Sequence, residues 1–191
     1  MHLSLPPRGV EAVLLALVLG AAVYDARYRR IPNWLTASGV LAGLAINAFI
    51  GRPYDGVSDG FPGLLFGLKG FGLGFAVYIF LYALRAMGAG DVKLMAAVGS
   101  MVGWEDWFGI FVFTAVIGGM LSIVVSIAKG RLSKTLFNVG FILHEMRHLR
   151  PAYVGNEELD VKSEKAVRLP HGMVIAVGTL AFLALSVHFT Q

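Results

Sequence analysis

An all-α membrane fold, with six transmembrane helices and the N-terminus outside, is what this chain of 191 residues predicts. Three observations lead there. Hydrophobic residues make up 57% of the chain and charged residues only 15%, too little charge to coat a soluble domain of this size. The apolar residues come in blocks of 15 to 25 rather than in amphipathic stripes. The basic residues gather on one side of the membrane once those blocks are threaded across it.

In chain order the apolar segments cover 10–24, 34–50, about 70–87, 92–104, 107–127 and 170–189. The first is preceded by Glu11 and followed by Arg27, Arg29 and Arg30, the reverse of a secretory signal, so it is a retained helix whose C-terminus faces the cytoplasm. From that start all lysines and arginines except Arg8, Arg52 and Lys69 fall in cytoplasmic loops. Asp55, Asp59, Glu105 and Asp106 fall outside. The net charge of +4 is thus a matter of topology, and nucleic acid is not expected as a partner. Lys69 marks the edge of the third segment, or snorkels from it. The fourth segment is short for a bilayer, and Trp104 and Trp107 are expected to lie in the outer aromatic belt, as Trp34 lies at the inner one. The chain is expected to form a single membrane-embedded domain over 1–191, with a polar cytoplasmic loop at 129–169. With no cysteine there are no disulfides and no Cys-ligated zinc.

The chemistry is expected at Asp25 and Asp91, which close the first segment and open the fourth. Acidic groups at membrane depth are costly and are functional candidates for that reason. The short fourth segment, hung from the outer belt, leaves Asp91 below the cytoplasmic boundary at a depth similar to that of Asp25. Two carboxylates facing one shallow cavity can hydrolyse a peptide, one activating water and the other polarising the carbonyl. Asp91 sits at a helix N-terminus and Asp25 at a helix C-terminus, so the macrodipole nominates Asp91 as the base and Asp25 as the proton holder. Gly88 and Gly90 let an extended substrate chain approach closely.

The run Gly88-Ala89-Gly90-Asp91-Val92-Lys93-Leu94 resembles the GxGDxKL motif of the type IV prepilin peptidases, within the wider GxGD intramembrane aspartyl proteases. Asp25, followed six residues later by Ile31-Pro32-Asn33, is similar to that family's first motif. Leu169-Pro170-His171-Gly172 resembles the proline–glycine start of its last helix. The resemblance implies an aspartic endopeptidase that removes prepilin leaders on the cytoplasmic side of a bacterial or archaeal inner membrane. Asp25 and Asp91 would be catalytic, with neither a metal nor another cofactor. It also implies a short form without the methyltransferase region of larger members, so N-methylation is not expected. A prepilin or pseudopilin with a basic leader would be the partner, beside membrane lipid. Gly88, Gly90, Lys93, Glu157, Glu158 and Asp160 are the expected substrate-binding residues, the last three because a basic leader calls for acidic groups.

A competing pattern is His144-Glu145-Met146-Arg147-His148, which matches the HExxH of zinc proteases. It lies in the cytoplasmic stretch, and Leu136, Phe137, Ile142, Leu143, Met146 and Leu149 give that stretch an apolar face suited to lipid headgroups. An amphipathic surface helix is therefore the favoured reading over a zinc site. A third possibility is a non-enzymatic transport or assembly protein, but a transporter places its acidic residues near the midplane. The spacings Gly63-xxx-Gly67 and Gly99-xxx-Gly103 predict close helix packing.

Overall fold

The computed structural model describes residues 8–51, 57–84, 87–130 and 170–189, with a few positions between 132 and 141. It is all-α. Helix α1 spans Arg8–Tyr28, α2 Asn33–Phe49, α3 Phe61–Ala83, α4 Ala89–Ala128 and α5 His171–Phe189. Three of them, α1 from Gly9, α3 and α4, are long and apolar enough to cross a membrane.

Helix α4 departs most from expectation. Its 40 residues, if straight, would run to about 60 Å, twice a bilayer core. Gly103 breaks it with φ 80° and ψ −175°, a backbone conformation that suits only glycine. Trp107 Nε1 donates to the Met95 carbonyl at 3.0 Å, whereas twelve residues of straight helix would separate the two by about 18 Å. The helix therefore doubles back at Gly103 into two arms, 89–102 and 104–128, which replace the separate fourth and fifth segments. This bend corrects the expectation for the tryptophans. Trp107 does not sit in an interfacial belt; it is 1% exposed, stacked on Phe111 and edge-on to Tyr78. Trp104 is exposed. Asp106, expected in an outer loop, is buried at the start of the second arm.

Nearly every residue of the first arm is buried, so it forms the axis of the bundle. Helix α3 lies along it on a glycine ridge, burying Gly63, Gly67, Gly70, Gly74 and Tyr78. A Cβ at Gly70 would run into the Gly99 carbonyl, and one at Gly99 into the Gly70 carbonyl, so the two backbones touch directly. The expected packing role of Gly63, Gly67, Gly99 and Gly103 is what the structure shows. Helix α2 repeats the device with Thr36, Gly39, Gly43 and Asn47. Asn47 Nδ2 reaches the carbonyls of Ser100 and Met101 at 2.8 and 3.2 Å, satisfying acceptors that the break at Gly103 leaves without helical partners.

Lys69 was expected either to mark the edge of a third segment starting near residue 70 or to snorkel outward from a longer one. The second is found: α3 begins at Phe61, with a proline in its first turn, and Lys69 lies exposed in mid-helix. Its inward face is glycine, which a hydropathy reading undervalues, and the lysine points the other way. The remaining segments agree closely. Helix α1 runs one turn past residue 24, which puts Asp25 inside its last turn. Arg29 then ends it in a left-handed conformation, φ 54°. The HExxH residues 144–148, and Glu157, Glu158 and Asp160, lie outside the described residues.

Candidate active site

Asp25 is placed by the packing face of α1. Val10, Leu14, Leu17, Val18 and Ala21 are its buried side, and Asp25 is the next residue in that stripe, 9% exposed. Asp91 is placed by a helix start. It stands in the first turn of α4, 8% exposed, and Gly88 N–H donates back to its Oδ2 at 3.1 Å, the reciprocal half of a capping box.

The two aspartates open into one cleft of about 690 Å³, at the ends of α1 and α4 nearest the α1–α2 turn. Tyr24, Tyr28, Arg29, Arg30, Ile31, Pro32 and Asn33 line one side, and Gly88, Ala89, Gly90 and Lys93 the other. Of the expected site residues, the structure thus brings Asp25, Asp91, Gly88, Gly90 and Lys93 together. Asp91 lies within electrostatic reach of both Asp25 and His171.

Gly172, in the first turn of α5, donates its N–H to Asp25 Oδ2 at 2.8 Å. A Cβ at that position would press on the Asp25 side chain, 3.0 Å from its Cβ, so glycine lets the helix start close over the carboxylate. This alters the sequence-based contrast between the two acids. Asp25 ends its own helix, yet it also faces the N-terminus of another, where a carboxylate is favoured just as it is for Asp91. Each aspartate therefore spends Oδ2 on a glycine N–H. The other oxygen of each has no hydrogen-bond partner among the described residues.

Gly172, Ile31 and Asn33 were not among the expected site residues, although all three lie in the motifs quoted above. Their signal was Pro-Asn and Pro-His-Gly punctuation after an apolar or basic run. Lys93, expected to touch substrate, lines the cleft and donates from Nζ to Asn33 Oδ1 at 2.8 Å. Ile31 packs where a Gly90 Cβ would point, 3.3 Å from its own Cβ. Trp34 meets Tyr24 edge-on at 6.1 Å beside the cleft, and is otherwise exposed.

Among known proteins, three similar chains are prepilin leader peptidase/N-methyltransferases. The one from Myxococcus xanthus (strain DK1622) is 29% identical over 119 residues, covering 62% of this chain and 35% of its own length. That of Klebsiella pneumoniae is 32% identical over 93 residues, 49% of this chain and 40% of its own. That of Neisseria gonorrhoeae is 29% identical over 119 residues, 62% of this chain and 41% of its own. The chain thus spans about two-fifths or less of the length of these relatives. No solved structure matches it. The sequence profile of the type IV leader peptidase family matches residues 12–123, a stretch that contains both aspartates and all the residues lining the cleft. The chain belongs to the type IV leader peptidase family.

Proposed function

We propose that this chain is a membrane aspartyl endopeptidase that removes the basic leader of type IV prepilins or pilin-like proteins, with Asp25 and Asp91 as its catalytic pair. One observation carries the reading: two buried carboxylates from different helices line one open cleft, each with one oxygen held by a backbone N–H and the other without a partner among the described residues. In the reaction one carboxylate takes a proton from water as the hydroxyl oxygen bonds to the scissile carbonyl carbon. The other, protonated, donates a hydrogen bond to the carbonyl oxygen. The tetrahedral intermediate then collapses, the C–N bond breaks, and a proton passes to the leaving amine. With a helix N-terminus at each carboxylate, neither is singled out as base or as proton holder, and the two roles belong to the pair.

The proposed setting is the inner membrane of a bacterium or archaeon, with the N-terminus outside and six crossings, the two arms of α4 counted separately. The distribution of lysine and arginine supports this orientation, because it puts Arg29, Arg30 and Lys93 on the cytoplasmic side with the cleft. Gly88 offers the bare backbone an extended peptide needs, the open face of Gly90 being filled by Ile31, and Glu157, Glu158 and Asp160 remain the proposed partners of the basic leader.

The test is cleavage of a co-expressed prepilin by the wild type, Asp25→Asn and Asp91→Asn, each with and without a zinc chelator. Wild-type cleavage should survive the chelator, while each variant, still present in the membrane, loses about 10²- to 10⁴-fold in rate. Variants that still cut, with a wild type that the chelator stops, would overturn the aspartyl reading in favour of His144, Glu145 and His148.

A further inference from the structure

We infer that Ile31, Asn33 and Lys93 form a latch that sets the separation of Asp25 and Asp91, so that Lys93 acts as a positioning residue through Asn33 and not as a substrate contact. The inference rests on the peptidase reading of the cleft and deepens it. Helices α1 and α4 pack against each other sparsely compared with their other neighbours, so direct helix contact does little to set where one aspartate stands relative to the other. Helices α2 and α5, each packed against both, hold them side by side, which leaves the cleft itself to be spanned by something nearer the two acids.

The turn between α1 and α2 meets that need. It is only four residues long, 29–32, and starts in the left-handed conformation of Arg29. Pro32 then holds an extended backbone, φ −66° and ψ 139°, as the residue before α2. So short and restricted a tether carries the position of Asp25 to residues 31–33 with little slack. Those residues grip α4 on both sides of Asp91. Ile31 lies against the bare face of Gly90, with its Cβ, Cγ1 and Cδ1 at 3.3 to 3.5 Å from where a glycine Cβ would be. Asn33 Oδ1 accepts from Lys93 Nζ at 2.8 Å, across 60 residues of sequence. One grip is a residue before Asp91 and the other two residues after it, so the backbone of the acid is pinned at both edges.

The chemistry of the polar grip fits a positioning role. The bond is exposed to solvent, where it adds little to stability but still defines a distance. Asparagine supplies a neutral acceptor, so the lysine is engaged without a third carboxylate beside the pair. A lysine already held in this way is poorly placed to receive a substrate that carries a basic leader.

The experiment has two arms. The chain has no cysteine, so Ile31→Cys combined with Gly90→Cys is a clean cross-linking pair in native membranes. The spacing at these positions is close to the roughly 3.8 Å between Cβ atoms of a disulfide. Mild oxidation should join them readily, and adding Asn33→Ala or Lys93→Ala should slow the joining several-fold. In the kinetic arm, Asn33→Ala and Lys93→Ala should each lower kcat for prepilin cleavage by about 10- to 100-fold, as a small misplacement of reacting groups does. KM should stay within about twofold, and the double variant should be no slower than the slower single one. Asn33→Asp, which can still accept from the lysine, should leave the rate of cross-linking near that of the unaltered latch. A raised KM with unchanged kcat in Lys93→Ala would make the lysine a substrate contact and overturn the latch. So would multiplicative losses in the double variant, or a cysteine pair that does not join. Should the Asp→Asn variants keep cutting, the peptidase reading falls by itself, and the cross-linking arm, which needs no activity, still decides whether the latch holds.

Discussion

The two arms of α4 have the same kind of apolar sequence and opposite surroundings. Over 89–102 the side chains are mostly small or flexible, Gly99, Ser100, Ala96, Ala97, Met95 and Met101 among them, and from Leu94 onward all are buried. Past Thr114 the second arm carries Val116, Met120, Leu121, Ile123, Val124 and Ile127, all largely exposed. Hydropathy does not separate the arms, because lipid and protein interior are equally apolar. Side-chain size does. Glycine and serine let α2 and α3 approach the first arm to backbone contact, while branched residues on the second arm keep neighbours away and suit lipid. The difference has a functional side, since Asp91 heads the arm that is clamped. The carboxylate proposed to take part in catalysis would need a rigid mount, and the bundle supplies one by surrounding that helix.

The comparison can be broken by adding the same side chain to both arms. Gly99→Leu should cost about 3 kcal/mol, since the new side chain meets the Gly70 backbone and neither helix can yield cheaply. The loss would appear as a lower melting temperature in detergent, with prepilin cleavage falling in parallel. A smaller effect sharpens the contact between the arms. Trp107→Phe keeps the aromatic packing on Phe111 but removes the N–H given to Met95, and should cost about 1 kcal/mol in the same melt. Least of all, Gly119→Leu on the second arm meets nothing within 4 Å and should shift stability by less than about 0.5 kcal/mol. Equal losses at Gly99 and Gly119 would mean that the second arm is as tightly enclosed as the first.

Much of the site is legible in the residues. The all-α class, the aspartates at the ends of apolar segments and the glycines before Asp91 follow from local properties: hydropathy, the cost of an acid at membrane depth and the backbone freedom of glycine. Continued at helical spacing, the stripe from Val10 to Ala21 also turns Asp25 toward the bundle. What failed did so where a residue's role depends on a distant one. Lys69 left a choice between a boundary and an outward-pointing lysine, because the glycine ridge that decides for the second lies on the opposite face of α3. Trp107 suggested an interface, but the bend at Gly103 folds it under Met95.

The fold class, the candidate acids and the glycine-spaced packing faces can therefore be read from the residues alone, because each rests on the properties of neighbouring residues along one helix. Only the tertiary structure decided that α4 doubles back, that Gly172 reaches Asp25 across 147 residues, and that Lys93 is engaged by Asn33. Those contacts join residues that no local periodicity relates. They exist because backbones stripped of side chains can come close enough for hydrogen bonds to set the final geometry.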